Sequence, residues 1–353
     1  MVISPPDAGE ALTYSAAGVD IEAGERAVEL MKEWVAIAQR PETVGGIGAF
    51  AGLFDASALA AYRRPLLATS TDGVGTKVVI AQQMGVHDTI GFDLVGMVVD
   101  DIVVCGAEPL FMTDYIVCGR VIPERVAAIV KGVAQACMSA GCALAGGETA
   151  EHPGLLGPDE YDLAGAATGV VEADALLGPD RVRAGDVLVA MASSGLHANG
   201  YSLVRTVLDR AGWDLDHYVP ELGQSIGAEL LEPTRIYASA CLALARSAEV
   251  DVHAFAHVTG GGIAANLARV LPDSVSARVD RATWSASAVF GLLGTLGNVA
   301  QDELERTLNM GVGMLAVVAA DDGDDSVRLL GHNGVPAWIA GEIVRGDGTV
   351  ALA

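Results

Sequence analysis

A chain of 353 residues has room for two domains, each with its own hydrophobic core. Hydrophobic residues make up 51% of it, yet no apolar run reaches the roughly 18–20 residues that a membrane span needs. The 45 acidic and 21 basic residues leave a formal charge of -24, which repels nucleic acid and anionic membranes and obliges any bound phosphate to rely on backbone N–H groups, a few cations and a metal.

Residues 1–10 have neither the basic region nor the apolar core of a signal peptide, and the stretch to Val19 lacks periodicity. Residues 20–40 read as an amphipathic helix, with Asp20 as N-cap and Glu22 and Glu25 at the positive end. Val28, Met31, Val35 and Ala38 recur at helical spacing, and Pro41 is the stop. A glycine-rich stretch with Gly45, Gly46 and Gly48 follows. Residues 66–70 read as a strand running into the loop Thr71-Asp72-Gly73-Val74-Gly75-Thr76-Lys77. A helix over 90–105, a strand over 110–117, a helix over 123–140 opened by Pro123, and strands over 143–144 and 163–171 complete the first half. Turn residues between 172 and 185 place the domain boundary there, giving domains 1–173 and 174–353.

The second half opens with a strand over 187–192 and the loop Ser193-Ser194-Gly195-Leu196-His197-Ala198-Asn199-Gly200. Helices are predicted over 227–231 and 234–248, and the segment from His253 to Gly262 leads into another. Late strands over 313–319 and 337–343 flank a helix. Both halves mix strands and helices of ordinary length, which predicts an α+β fold of two mixed α/β domains. The five cysteines (Cys105, Cys118, Cys137, Cys142, Cys241) follow no framework spacing and suit a reducing, cytoplasmic compartment. Cys137 and Cys142 lack CxxC spacing and read as buried structural thiols.

Four places carry chemistry. The loop from Asp72 to Lys77 follows a strand and combines two glycines, an acid and a lysine. It fits either a phosphate loop, with Asp72 on Mg²⁺ and Thr76 and Lys77 on phosphate, or a glycine-rich turn with a solvent-facing acid. Only Lys32, Lys77 and Lys131 are lysines, so a lysine here points to a pocket shaped for a compact ammonium. Asp93 and Asp100 are seven apart and share a helix face, with Asp101 about 100° further round. That helix is largely apolar, so its carboxylates need partners, and Asp101 reads as a metal ligand. Gly146-Gly147-Glu148-Thr149-Ala150-Glu151-His152 presents two carboxylates and an imidazole, and Glu148 with Asp72 and Asp101 would complete an all-oxygen Mg²⁺ site. Gly260, Gly261 and Gly262 precede a helix and read as an anion site. His197, Asn199 and His257 flank these loops as candidate polar contacts, with structural histidines as the alternative.

The ordered set of motifs resembles one family. It runs from Ala17-Gly18-Val19-Asp20-Ile21 through Thr71–Lys77, Gly106-Ala107-Glu108-Pro109-Leu110-Phe111, Gly146–Glu151 and Asn199-Gly200-Tyr201-Ser202. It continues in Pro233-Thr234-Arg235-Ile236-Tyr237 and His257–Gly262, and ends in Asn309-Met310-Gly311-Val312-Gly313. Residues 13–345 are covered in order by this resemblance to the phosphoribosylformylglycinamidine cyclo-ligases (AIR synthetases). The resemblance implies a homodimer paired through the N-terminal domain. It implies ATP as co-substrate, Mg²⁺, K⁺ as a further candidate, and formylglycinamidine ribonucleotide as substrate. The roles it implies put Asp72, Asp101 and Glu148 on the metal, and Lys77, Thr76 and Gly45, Gly46 and Gly48 on ATP. Gly260–Gly262 would take a second phosphate, with His197, His257 and Asn199 at the reacting amide. Ser15, Asp100 and His152 depart from the residues common in that family, Asp100 adding charge near the expected metal. Rival readings are another enzyme of the same ATP-using superfamily or an idle nucleotide-binding subunit.

Overall fold

The computed structural model describes residues 13–14, 17–46 and 48–353. Ser15 and Ile47 lie outside the described residues.

The first half begins with α1 (Ile21–Ile37), where the Asp20 carboxylate caps the Ala23 N–H and Ala27, Met31 and Val35 form the buried stripe. It ends before the expected residue 40, because Gln39 turns back to donate to the Val35 and Leu144 carbonyls and Arg40 reaches Glu42 and Glu108. A small hairpin, β1 (Thr43–Val44) and β2 (Leu53–Phe54), carries the glycine-rich stretch at its tip. Then come β3 (Pro65–Gly73), α2 (Lys77–Met84), α3 (Ile90–Val103), β4 (Glu108–Cys118), α4 (Pro123–Ala140), β5 (Ala143–Glu151) and β6 (Tyr161–Glu172). The four long strands form one sheet in the order β3-β6-β4-β5, antiparallel except for the β4–β5 pair.

Helix α3 lies on one face of that sheet, against β3 and β6, and α4 packs on α3 and α1. Among the described residues no helix packs on the opposite face, which exposes Leu67, Thr69, Thr71, Thr113 and Tyr115. Strand β5 is much longer than expected. Its two glycines hide the alternation that announces a strand, so Glu148 lies within the sheet and not in a loop after it.

The second half contains β7 (Val187–Ala192), α5 (Tyr201–Ala211), β8 (Tyr218–Val219), β9 (Gln224–Ser225), α6 (Ile226–Leu230), α7 (Ala238–Ala245), β10 (Val252–His257) and α8 (Gly262–Ala268). It continues with β11 (Val275–Val279), α9 (Ala288–Gly297), α10 (Gln301–Thr307), β12 (Val312–Val318), α11 (Gly323–His332), β13 (Ala337–Arg345) and β14 (Val350–Leu352). The six-stranded sheet runs β10-β12-β7-β13-β11-β14. Its β10 and β12 strands are buried along their whole length. One face of the sheet (Met191, Phe255, Met314) joins the core shared with the first half. The other (Leu188, Ala254, Leu315) packs with Leu267 of α8. No helix of the described residues is long and apolar enough to cross a membrane.

A helix was expected from residue 234, but α7 starts only at Ala238. The residues before it run extended along α3, and polar groups of α3 tie them down. Asp93 accepts from the Thr234 N–H and hydroxyl, and both oxygens of Asp100 accept from the Tyr237 N–H. Gly96, between the two, makes the approach possible, since a Cβ there would stand 2.6 Å from the Thr234 methyl. The face shared by Asp93 and Asp100 is therefore the seam between the halves.

Candidate active site

A cleft of about 500 Å³ opens beside that seam, a size suited to a small-molecule ligand. Asp72–Thr76 form one wall, Asn199–Leu203 another, and Met97, Glu303 and Thr307 close it. Thr76 stands at the N-cap of α2 with no side-chain capping bond, and its hydroxyl meets the Ser202 hydroxyl at 3.2 Å across the cleft. The N-terminus of α2 thus carries N–H groups and a positive dipole end in the cleft wall.

Asp72 lines the cleft, and Asp101 lies near enough for its charge to act on Asp72. Asp72 accepts from the Gly73 N–H at 2.7 Å and stays accessible. Partial burial pushes its carboxyl up; the Asp101 charge adds to the rise, while the Gly73 N–H and His257 oppose it. Asp101 Oδ1 accepts from His257 Nδ1 at 2.9 Å, and His257 Nε2 is buried without a partner. His197 sits opposite. The Ser194 N–H donates to its Nε2 at 3.2 Å, so the ring proton resides on Nδ1, which is buried and unpartnered. Burial holds this ring well below the ordinary imidazole value, with His257, Lys77 and Arg235 adding to the effect, so it is neutral. His197 also has φ +63°, a left-handed conformation that costs a non-glycine residue roughly 1–3 kcal/mol.

The structure corrects the expectation for Lys77. Its side chain is fully buried, and its ammonium donates to Asp93 Oδ1 at 2.7 Å, the His197 carbonyl at 2.9 Å and the Glu232 carbonyl at 2.7 Å. All three protons are committed, so none is free for a phosphate. Burial pushes the ammonium down and the Asp93 carboxyl up, and each ion opposes the other's shift. Asp100 is likewise no free charge near a metal: burial pushes it up to about 7, against His257 and the N–H groups of Tyr237 and Ala238.

Glu148 is a second correction. Asp72 and Asp114 lie in the row Asp72–Gly165–Asp114–Gly147, whereas Glu148 lies in the next row with Tyr115, Ala164 and Gly73. Adjacent rows face opposite sides of a sheet, and β3 and β5 are three strand spacings, or ~14 Å, apart. Within one chain Glu148 does not meet Asp72 and Asp101, and no group of three or more metal-binding side chains gathers among the described residues. Gly45, Gly46 and Gly48 belong with Glu148: they are exposed at the hairpin tip, whose Gly52 packs on Ala145 of β5. Glu151 is spent elsewhere, its carboxylate accepting from the N–H groups of Asp20 and Val121.

The Gly260–Gly262 turn comes up beside Asn199, whose amide also touches Met97 sulfur. Its shape is set by Asn266, which donates to the carbonyls of Thr259, Gly260 and Gly262. Gly262 has φ +68°, and a Cβ there would lie 1.8 Å from the Glu305 carbonyl, so packing on α10 also requires glycine. Thr234 and Glu232 escaped sequence reading as partners of Asp93 and Lys77 because they lie far away in the chain; Asn266 escaped it although its partners Thr259, Gly260 and Gly262 are close in sequence.

Comparison with known proteins places this architecture. The model of AIR synthase related proteins matches twice, its N-terminal domain over residues 54–171 and its C-terminal domain over 183–352. Solved structures share the fold. Thiamine-monophosphate kinase from Stenotrophomonas maltophilia K279a superposes with TM-score 0.66 at 20% identity, over 93% of this chain and 95% of that one. The hydrogenase maturation protein HypE in complex with ATP gives 0.62 at 15%, over 94% and 91%. Fold and cleft thus define a two-domain protein of the AIR synthase related class. The phosphoribosylformylglycinamidine cyclo-ligase of Geobacillus kaustophilus (strain HTA426) is 50% identical over 341 residues, 96% of this chain and 97% of the relative. That of Bacillus cereus (strain ZK / E33L) is 47% identical over 336 residues, 95% and 96%. The chain belongs to the phosphoribosylformylglycinamidine cyclo-ligase family and is a ligase of purine biosynthesis.

Proposed function

We propose that this chain uses ATP to close the imidazole ring of formylglycinamidine ribonucleotide through an O-phosphorylated intermediate. The formamide oxygen attacks the γ-phosphorus; the new P–O bond forms as the bond to the β-phosphate oxygen breaks, and ADP leaves. The formamide nitrogen gives up its proton as its C=N bond forms; an amidine nitrogen adds to the activated carbon and loses a second proton. The C–O bond breaks, phosphate departs with that oxygen, and the product is aminoimidazole ribonucleotide. Phosphoryl transfer asks mainly for positioning and charge neutralisation.

The observation that carries this reading is a cleft wall holding Asp72 and the α2 N-terminus, with the Asp101–His257 pair close enough to act on Asp72 and two histidine nitrogens left without partners. A carboxylate with a second one close enough to act on it suits Mg²⁺, which commonly takes one or two carboxylates plus phosphate oxygens. Asp72 and Asp101 Oδ2 would hold it, and when bound it would neutralise charge on the phosphates. The α2 N-terminus and Thr76 hold phosphate oxygens. His197 Nδ1–H donates to the reacting amide, and His257, held by Asp101, offers Nε2 for the amidine proton. Asn199 orients the amide, and the Gly260–Gly262 turn takes the ribose phosphate.

The open sheet face supports a homodimer. It exposes Leu67 and Tyr115, where a solvated face is normally polar, and Glu148 points the same way. A second copy packed there would bring its Glu148 and glycine-rich hairpin toward the first copy's cleft. A domain boundary at 173/174 is supported by one sheet ending at Glu172 and the other beginning at Val187. Five free cysteines suit the cytosol. The test is stoichiometry. With Mg²⁺, and K⁺ varied against Na⁺, the protein should release ADP, phosphate and aminoimidazole ribonucleotide in equal amounts. Folded protein that forms no ATP-dependent product refutes the reaction.

A further inference from the structure

We infer that Lys77 and Asp93 form a positioning unit that sets His197, and not a contact to ATP. The inference rests on the cleft being the reaction centre. Lys77 directly follows the Asp72–Thr76 wall, and its ammonium holds the His197 carbonyl of the opposite wall at 2.9 Å. The residue so held is the one that adopts φ +63° without being glycine. A backbone in that region persists only where its surroundings over-determine it. Here Lys77 grips the carbonyl, the Ser194 N–H grips Nε2, and the Ser194 hydroxyl is tied to the Pro233 carbonyl at 2.6 Å. Asp93 completes the unit, since its Oδ1 takes the Lys77 ammonium together with the Thr234 N–H and hydroxyl. One ion pair therefore registers three segments: the nucleotide loop, the His197 loop and the extended stretch before α7. The result is a neutral imidazole whose Nδ1–H has no protein partner.

Three readouts separate positioning from phosphate contact. The charged and titratable groups facing His197 are Lys77, Arg235 and His257, with the Tyr237 ring at 6.0 Å. The double variant Lys77→Met with Asp93→Asn removes the ion pair without leaving a buried lone charge. Positioning predicts that a non-hydrolysable ATP analogue binds it within about threefold of the parent, while kcat falls by about 100-fold or more. It also predicts that the His197 ring signal in NMR is flat through neutral pH in the parent and titrates in the variant. Loss of analogue affinity by tenfold or more, with the His197 ring unchanged, would put Lys77 on phosphate and overturn the inference. A kcat within threefold of the parent would overturn it too. Should the double variant fail to fold, Thr234→Val decides: kcat down about tenfold with analogue affinity kept supports the unit, and unchanged kcat refutes it. A parent that binds the analogue but makes no product refutes the proposed reaction, and the His197 titration then decides the positioning role by itself.

Discussion

Asp100 and Asp101 are neighbours on one helix, and their surroundings give them opposite uses. Asp100 points into the seam, where the Tyr237 N–H meets both its oxygens, and is fully buried. Asp101 keeps part of its surface, holds His257 and lies near enough to Asp72 for its charge to act on it. The seam pairs most of its polar groups, Lys77 with Asp93 Oδ1 among them, although Asp93 Oδ2 is left without a partner. The cleft leaves polar atoms unmatched, as with His197 Nδ1 and His257 Nε2. A buried polar atom without a partner is costly, so native proteins keep few of them, and a cluster beside a cleft marks where a ligand supplies the missing bonds.

The largest expected effect tests that division from the cleft side. Asp72→Asn or Asp101→Asn should lower turnover about 10³-fold or more while stability stays within ~1 kcal/mol, because both keep accessible surface and each would lose its proposed metal contact. Activity within a few-fold in excess Mg²⁺ would remove that residue from the metal site. Next comes the seam. Asp93→Ala strands the Lys77 ammonium in the interior and should cost about 3–5 kcal/mol by urea denaturation. A loss below ~1 kcal/mol would show that the seam does not hold the halves together.

A smaller effect concerns Asp114, whose carboxyl is buried with Oδ2 unpartnered and pushed up to about 7. The native state then binds this proton more tightly than the unfolded chain. Its contribution to stability is present at acid pH and lost as pH rises through 7. Between pH 6 and 8.5 it should cost about 1.4 kcal/mol, a slope that Asp114→Asn removes. Equal pH slopes in parent and variant, measured by urea midpoints, would contradict the burial argument. Smallest is Glu151→Gln. Its carboxylate serves two backbone N–H groups and no ligand, so stability should fall by about 1 kcal/mol with kcat unchanged. A large fall in kcat would return Glu151 to the reaction.

These tests also mark what sequence could and could not reveal. Local signals were legible: α4 runs Pro123–Ala140 and β7 Val187–Ala192 as the periodicity indicates, and Asp20 is the N-cap of α1. The same was true of the shared face of Asp93 and Asp100, which helical geometry dictates. What that face meets was not legible, because Thr234 and Tyr237 lie well over a hundred residues away. A lysine in a glycine loop reads as a phosphate ligand until the Glu232 and His197 carbonyls are seen to occupy it. Strand β10 was hidden by His253 and His257, polar residues that the fold buries by pairing them with Asp186 and Asp101. Glu148 was misplaced because Gly146 and Gly147 look like a loop, and sheet register alone decides which face it takes.

That register makes the proposed two-copy site directly testable. Asp101→Asn and Glu148→Gln should each inactivate the enzyme, one from the cleft and the other from the open sheet face of the second copy. Mixed, unfolded together and refolded, the two inactive chains should recover about a quarter of parental activity, the statistical share of mixed dimers with one intact site. A mixture that forms dimers yet stays inactive, or a Glu148→Gln protein that keeps full activity, would contradict a site completed by two copies.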